Sequence, residues 1–309
     1  MNMKKIFSLM VAIALMFAAA ARAENVCCAG EEWCPPSAGP VTTWAAPLCG
    51  KGKLLLSPAI YYNRARGSFD DDGIYGALSG SDRKYQFQQQ FFVQYGVTDR
   101  FEIDAQTVYQ ENFIKRGGIS AHHTGIGDSY LYPRYCLVEE SKVIPHLCLL
   151  GQLKIPTGKY QHGHADKLGT DMMGAGSGGG SWDQGLGVIL TKKVRPCIFH
   201  ADFIYSVPQR VRVDGAGTRY GDYINADIGV EYFLPRGFNL MIEANGFFQG
   251  EKKVNGERVQ ASDVNYGVLA PGIGWSNQKI QTLLAYQRVV AGTNTDANDS
   301  IVATCVYTF

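Results

Sequence analysis

Beyond its first 23 residues the sequence lacks any apolar run of about 18 residues, so it contains no predicted transmembrane helix. Charge is scarce as well: only 18% of residues are charged, and 29 basic side chains stand against 28 acidic ones. A nucleic-acid binder needs a basic excess to neutralise phosphates, so this balance excludes that class. A hydrophobic fraction of 46% excludes a disordered chain. A closed β-barrel is the one membrane-spanning fold that these absences leave open.

Motifs of enzymes and cofactor proteins are missing too. Residues 174–181 are glycine-rich, but no Gly-Lys-Ser/Thr follows, so they do not form a phosphate loop. No Cys-x-x-Cys-His motif for haem and no nucleophile elbow is present. A barrel phospholipase would need Ser and His on the lipid-facing surface, whereas His146 and His200 read as lumen-facing. We therefore expect no enzyme activity, no catalytic residues and no cofactor.

The first residues predict export. Lys4 and Lys5 precede an apolar run that ends in Ala21-Arg22-Ala23, which is typical of a signal peptide cleaved near Ala23. Removing Lys4, Lys5 and Arg22 leaves 26 basic and 28 acidic residues, a net charge of −2. We expect the mature chain to reside in the outer membrane of a Gram-negative bacterium.

Alternating side chains predict the strands. In residues 101–109, Phe101 and Ile103 share one face with other apolar residues, while Glu102 and Asp104 share the opposite face. Residues 85–95 alternate in the same way, and only residues 97–100 separate the two runs, which predicts a hairpin. About twelve such runs are present, near 53–63, 84–96, 100–112, 127–138, 143–155, 183–192, 196–207, 220–234, 237–249, 264–275, 279–291 and 300–309.

The connections between these runs alternate in length. Short ones stand at 97–100, 139–142, 192–195, 235–237 and 276–278; longer ones stand at 64–83, 114–125, 156–181, 208–219, 250–262 and 292–299. Outer-membrane barrels have short periplasmic turns and long extracellular loops, and a soluble sandwich has no reason to separate its loops in this way. We predict an all-β fold, a transmembrane antiparallel barrel of about twelve strands over residues 53–309.

Several glycine-containing motifs resemble those of a known family. A strand ending in Pro-Thr-Gly, a polar loop, a glycine-rich stretch and an Asp that opens the next strand follow one another. They stand at 154–160, 168–170, 174–180 and 182–187, with further matches at 125–128 and 270–273. Over residues 54–309 the chain resembles the outer-membrane proteins of the meta-pathway of phenol degradation family. The resemblance implies a barrel of about twelve strands that moves small organic compounds, aromatic or hydrophobic ones included, across the outer membrane.

Inward-facing polar residues are the candidates for selectivity. Twelve strands leave at most a narrow passage, so charged side chains facing it would contact a solute. The alternative is a polar network that only braces the barrel, in a structural or surface-exposed protein that does not conduct. The nine candidates are Glu102, Asp104, Arg134, Lys154, His200, Asp202, Asp227, Glu231 and Glu243.

The eight cysteines divide evenly between two regions. Cys27, Cys28, Cys34 and Cys49 lie in residues 24–52, which we interpret as a periplasmic cap or plug. In an oxidising compartment these four suggest two disulfides of open connectivity, with a metal site as the alternative.

Two strand cysteines stand at mirrored positions of a hairpin. If the turn after the run at 127–138 is centred near residue 142, Cys136 lies directly opposite Cys148. Opposed Cβ atoms are about 4.5–5.5 Å apart, close to what a disulfide requires. A cross-strand disulfide and two free buried thiols both remain open, since a shift of one residue would separate the pair.

The histidines give only a weak metal signal. Four of the six lie in two neighbouring loops, with a carboxylate nearby, and His-x-His spacing alone does not identify a site. We expect no bound metal. The weak candidates are His122, His123, His162, His164 and Asp166.

The last strand carries a predicted assembly signal, an alternating run with Tyr307 and a final Phe309. The pattern resembles the terminal signal that the barrel-assembly machinery recognises. That machinery, outer-membrane lipid and a small-molecule solute are the expected partners. We predict that Phe309→Ala lowers the amount of heat-modifiable folded barrel in the outer membrane and increases its periplasmic degradation, whereas Thr308→Ala does neither. An unchanged folded yield in Phe309→Ala would remove that role.

Overall fold

Strands dominate the computed structural model, which describes residues 35, 37–158, 179–213, 215–277 and 279–309. Twelve long strands build the wall: β1 (Leu54–Phe69), β3 (Arg83–Gly96), β4 (Phe101–Arg116), β6 (Ser129–Val138), β7 (His146–Ile155), β8 (Asp183–Val194), β9 (Cys197–Pro208), β12 (Tyr223–Phe233), β13 (Phe238–Gln249), β16 (Val264–Ser276), β17 (Ile280–Thr293) and β18 (Thr295–Thr308). Six short strands extend it: β2 (Tyr75–Ala77), β5 (Ile119–Ile126), β10 (Val211–Val213), β11 (Ala216–Arg219), β14 (Lys253–Val254) and β15 (Glu257–Arg258).

The wall closes on itself. The main sheet has 14 strands, of which β2 and β5 are short branches, and the other twelve pair antiparallel in chain order. The last strand, β18, pairs with β1 through a register that sets Ile60 opposite Ala303 and Asn63 opposite Ser300. No strand edge is left open along the main wall, which removes the unpaired backbone groups of an open sheet. The predicted barrel of twelve strands is confirmed.

The two faces of the wall have opposite polarity. In β4, Glu102 and Asp104 are fully buried, whereas Ile103 between them is 43% exposed. The same pattern places Phe91, Leu186 and many other large apolar side chains on the outer surface. A water-soluble barrel would bury those apolar groups, so an apolar exterior around a polar interior fits a lipid environment. Among the described residues, no helix is long and apolar enough to cross a membrane.

The longer connections hold more structure than the sequence predicted. Residues 114–125 form the β4–β5 hairpin, whose tip is Gly117 and Gly118 with φ of 56° and 84°, values that glycine adopts without strain. Residues 292–299, predicted as a long loop, are instead strand on both sides of a tight turn at Asn294. The connections at 208–219 and 250–262 meet in a second sheet, ordered β10-β11-β14-β15. Most of the connection at 156–181 lies outside the described residues.

The alternation of loops predicts the orientation of the barrel. We expect a cysteine introduced by Asp72→Cys in the β1–β2 connection to react with a membrane-impermeant maleimide in intact cells. A cysteine introduced by Glu139→Cys, in the short connection after β6, should react only after the outer membrane is permeabilised. Mass spectrometry of the labelled peptides separates these sites from the native thiols. Labelling of Glu139→Cys but not of Asp72→Cys in intact cells would reverse the orientation.

Candidate functional site in the barrel interior

A segment preceding β1 occupies the interior of the barrel. We call residues 37–49 the plug. Its polar groups bond to inward-facing side chains of β4, β6, β8, β9, β12, β13 and β17, and thus to most of the circumference. For example, the Ala38 amide donates to Gln281 Oε1 at 2.6 Å, and Gln281 Nε2 donates back to the Gly39 carbonyl at 3.1 Å. Residues 24–52 were predicted as a periplasmic cap or plug; residues 37–49 of this segment lie inside the barrel, and residues 24–34 lie outside the described residues.

Glu243 is the main anchor of the plug. Its carboxylate accepts the amides of Val41 at 3.0 Å, Thr42 at 2.9 Å and Thr43 at 2.7 Å, and also the Thr43 hydroxyl at 2.9 Å. The side chain is buried on β13, where a carboxylate without partners would be costly. Three consecutive amides replace the water that the carboxylate has lost. The buried Glu243 carboxylate therefore needs the plug amides, and the plug needs the carboxylate as its anchor.

Further acceptors hold the rest of the plug. Asp202 Oδ2 on β9 accepts the Trp44 amide at 2.8 Å, and Glu102 Oε2 on β4 accepts the Cys49 amide at 2.6 Å. Thr191 Oγ1 accepts the Ala46 amide at 2.8 Å. The plug lacks regular secondary structure, so its amides need side-chain partners, and the wall supplies them.

Arg134 holds the plug through its carbonyl groups. Its guanidinium donates to the carbonyls of Ala45 at 3.1 Å and Pro47 at 3.2 Å. The same group is ion-paired with Glu102 at 3.0 Å and with Asp104 at 3.4 Å, and all three side chains are almost fully buried. Its planar fork serves carbonyls and carboxylates at once, which a lysine could not do.

Trp44, the aromatic side chain of the plug, adds to the contact between the plug and Arg134. Trp44 packs edge-on against Tyr132 at 4.8 Å and Phe92 at 5.5 Å between ring centroids. The Arg134 guanidinium lies 5.5 Å from the Trp44 ring centroid, within the range of a cation–π contact.

A buried chain of polar groups lies behind the plug. His200 contacts Thr191 Oγ1 through Nδ1 at 3.0 Å and Glu231 Oε1 through Nε2 at 3.1 Å. Glu231 also accepts the Ser37 hydroxyl at 2.6 Å and the Asn239 side-chain amide. The chain therefore links β8, β9, β12 and β13 to the plug.

The nine selectivity candidates therefore fall into two groups. Seven belong to the plug-binding network: five contact the plug directly, Asp104 pairs with Arg134, and His200 pairs with Glu231. The other two are Asp227 and Lys154. Asp227 lies opposite Asp202 in the register of β12 and β9 and accepts the Gly246 amide at 3.3 Å. Lys154 lies elsewhere, paired with Asp183 at 2.6 Å and Asp128 at 3.8 Å. The seven hold the plug against the wall, while Lys154 borders an open cavity.

The cysteines with described positions are free thiols, which for Cys136 and Cys148 is one of the two alternatives that the sequence leaves open. Cys136 and Cys148 lie opposite each other, as the hairpin arithmetic requires, but both are free thiols. Cys49 is free as well, so the four N-terminal cysteines do not all pair, and Cys27, Cys28 and Cys34 lie outside the described residues.

The weak histidine candidates do not form a metal cluster among the described residues. His122 Nε2 contacts Glu111 at 2.9 Å on the exposed β4–β5 hairpin, and His123 lies next to it on the opposite side of the strand. His162, His164 and Asp166 lie outside the described residues.

Cys49 reports the state of the plug. Burial and the adjacent Glu102 and Asp104 carboxylates raise the pKa of its thiol to about 12. Since the thiolate is the reactive form, docked Cys49 stays protonated and reacts slowly at neutral pH. Release of the plug would return the pKa toward its ordinary value and speed alkylation.

Aromatic and amide side chains form much of the lining of a cavity of about 840 Å³ on the long-loop side of the plug, which we call the loop-side cavity. Aromatic rings form part of its wall, including the parallel pair Tyr130 and Tyr132, with centroids 5.7 Å apart, and the pair Phe247 and Tyr266 at 5.1 Å. Thr42 of the plug borders it. The paired charges Lys154, Asp128 and Asp183 form another part of the lining. Six glutamines line it as well: Gln88, Gln90, Gln106, Gln110, Gln152 and Gln249.

Two smaller cavities continue from it toward the short turns. The seam cavity, about 390 Å³, lies between the plug and the wall of β1, β3, β17 and β18, and shares Thr42, Gln90 and Tyr132 with the loop-side cavity. The turn-side cavity, about 200 Å³, shares Gln94 and Arg134 with the seam cavity and reaches Asn277 and Lys279 of the last short turn. The three adjoin in series, because each shares lining residues with the next.

Charge is nearly absent from the middle of this series. Arg134 is the one charged side chain among the described residues that line the seam cavity, and it is paired with two carboxylates. The rest of the lining is amide, hydroxyl, aromatic and aliphatic, with Ser57, Ala59, Gln287 and Thr304 on the wall. Sequence analysis missed these residues as a site, although Gln88, Gln90 and Gln94 do alternate along β3.

The sequence matches an established family. Residues 102–303 match the family described as the MetA-pathway of phenol degradation. The chain belongs to this family. The resemblance inferred from the Pro-Thr-Gly and glycine-rich motifs is thus confirmed. A comparison of this member of the phenol-degradation family with curated proteins found no match.

Solved structures share its fold. The outer membrane channel from Pseudomonas putida F1 is 15% identical, with a TM-score of 0.70 over 88% of this chain and 99% of that one. The NanC porin is 11% identical, with a TM-score of 0.48 over 82% of this chain and 98% of that one. The first likeness establishes the fold of an outer-membrane barrel, in agreement with the strand pairing.

Weakening the Glu243 anchor should loosen the plug. Glu243→Gln keeps the size of the side chain but removes the charge that three amides share, at an expected cost of about 1–3 kcal/mol in plug docking. We expect faster alkylation of Cys49 at neutral pH, measured by peptide mass spectrometry. Glu111→Gln, which alters an exposed carboxylate on β4, is the control. Equal Cys49 reactivity in Glu243→Gln and the control would show that Glu243 does not hold the plug.

Proposed function

We propose that the protein is an outer-membrane channel for passive passage of small, uncharged organic compounds, aromatic ones included. The observation that carries the proposal is the series of three adjoining cavities beside the plug, in which amides, hydroxyls and aromatic rings predominate. The charges of the loop-side cavity, Lys154, Asp128 and Asp183, are paired with one another. The apolar exterior and the family membership support the location and the solute class.

The lining favours neutral solutes over ions. Most inward-facing charges are paired with one another or with plug amides, so few remain to attract or replace the hydration of an ion. Glutamine amides offer donors and acceptors to a hydroxyl or carbonyl group, and tyrosine and phenylalanine faces offer surfaces for stacking. A phenol-like solute presents both an aromatic ring and a polar group.

The narrowing sequence of cavities sets the size limit. A volume of about 840 Å³ at the loop side is within the range of small-molecule sites, and the path then narrows to about 390 and 200 Å³. A solute would leave the loop-side cavity at Thr42 and pass between the plug and the β1–β18 seam. The plug thus acts as a constriction that remains in place.

The structural alternative keeps one supporting observation. Seven of the nine predicted charged residues lie in the plug-binding network, which would equally suit a barrel that is only braced. A non-conducting barrel has no need for adjoining cavities along one wall, so permeation measurements separate the two functions.

Assembly in the outer membrane would follow the usual route of such barrels. We infer that Tyr307 and Phe309 contribute to recognition by the barrel-assembly machinery, because both rings lie on the exposed lipid side of β18 and pack edge-on at 4.6 Å.

Filling the seam cavity should block passage. Ala59 lines this cavity from β1, whereas neighbouring Ile60 is exposed on the outer face. We expect Ala59→Phe to slow swelling of proteoliposomes in an uncharged phenyl glucoside, a probe that lipid alone excludes, by several-fold. Proteoliposomes with the Ile60→Phe variant should swell as fast as those with the wild-type protein, because the added ring faces lipid. Folding of both variants is checked by heat modifiability.

The wild-type protein supplies the decisive comparison. Swelling no faster than in protein-free liposomes would favour the structural barrel over the channel. Swelling that is equally fast in Ala59→Phe would place the path elsewhere in the interior.

A further inference from the structure

Three metal-binding side chains meet on the inner wall near the short-turn end of β6 and β7. Cys136 lies opposite Cys148 in the register, and His146 stands two residues before Cys148 on the same face of β7. Cys136 Sγ lies 3.2 Å from His146 Nε2, and the ligand atoms of all three residues lie within 4.8 Å of one another. The channel function does not use this cluster of thiols and imidazole, of which Cys148 also contacts the plug.

The spacing fits a single bound ion. Zinc binds sulfur at about 2.3 Å and nitrogen at about 2.0–2.1 Å, so ligand atoms around one ion lie roughly 3.3–4 Å apart. The observed separations need only small side-chain adjustments to reach that arrangement. Two cysteines and a histidine form a soft donor set, which favours Zn²⁺ and Cu⁺ over the hard ions Mg²⁺ and Ca²⁺.

We propose that Cys136, His146 and Cys148 bind one thiophilic d¹⁰ cation, Zn²⁺ or Cu⁺. Binding releases the two thiol protons, and the two thiolates and the neutral imidazole coordinate the ion. Both cysteines are buried, while His146 is half-buried beside the connection at 139–145. An ion would therefore enter from the side of His146.

The site is coupled to the plug. In the metal-free protein the Cys148 thiol donates a hydrogen bond to the Ala46 carbonyl at 2.9 Å. Metal binding removes this proton, so the plug loses one donor at Ala46. The ion therefore weakens one contact between the plug and the wall, independently of Glu243.

Metal titration of the full-length protein tests the proposal. We use a background in which the other six cysteines, Cys27, Cys28, Cys34, Cys49, Cys197 and Cys305, are replaced by serine, so that only Cys136 and Cys148 remain. The reduced barrel is titrated with Zn²⁺ and, anaerobically, with Cu⁺ against a competing chelator. Co²⁺ serves as the spectroscopic substitute, since thiolate-to-cobalt charge-transfer bands report sulfur ligation directly.

The expected result is one equivalent of Zn²⁺ or Cu⁺ per chain, with thiolate charge-transfer bands for Co²⁺. Both should be lost in Cys148→Ser, and His146→Gln should weaken binding while leaving both thiols in place. His122→Gln, an exposed histidine on β5, is the matched control and should bind as the background does. If the background does not fold, the same variants are compared in the otherwise native sequence.

Two outcomes would overturn the proposal. One is metal content that does not fall in Cys148→Ser and His146→Gln, both still heat-modifiable. The other is a linked 136–148 peptide from barrels extracted from the outer membrane without reduction, since a disulfide consumes both ligands. The Zn²⁺ and Cu⁺ titrations also show which of the two ions the site prefers, since that ion stays bound in the presence of the competing chelator.

Discussion

The structure depends on the need to satisfy buried carboxylates inside a barrel. Glu102, Asp202, Glu231 and Glu243 point away from lipid into an interior that the chain itself fills. A buried carboxylate without partners is costly, and amides without regular secondary structure are costly as well. Placing residues 37–49 within the ring of carboxylates solves both problems, because each supplies what the other lacks.

This solution decides where a solute can pass. The anchors lie on β4, β6, β8, β9, β12, β13 and β17, so the plug is held from most of the circumference. The wall where β1 meets β18 faces the plug across a cavity lined largely by amides, hydroxyls and apolar side chains. The charged anchors thus hold the plug in place as the constriction, and solutes pass along the largely uncharged wall of β1 and β18.

Much of this architecture could be predicted from the sequence. Alternation in runs such as 101–109 sets the faces of each strand, and the hairpin arithmetic placed Cys136 opposite Cys148. The strand on both sides of Asn294 was missed because polar residues there hide the alternation. The role of the inward acids was also hidden, since their partners are backbone amides of residues 41–49, which carry no sequence signal. The seam lining could have been sought in the glutamines of β3.

Locking the plug in place tests most directly whether solutes pass beside it. A Cβ built at Gly229 on β12 would lie 3.4 Å from Thr43 Cβ, close to the spacing of a disulfide, and Gly229 does not line the seam cavity. The measurement is the swelling rate, in an uncharged phenyl glucoside, of proteoliposomes that contain the Thr43→Cys, Gly229→Cys barrel, oxidised and then reduced. The account predicts that the oxidised barrel takes up the solute and that reduction leaves the rate essentially unchanged. Swelling that is absent when the barrel is oxidised and returns on reduction would show that the plug must leave, and would contradict the account.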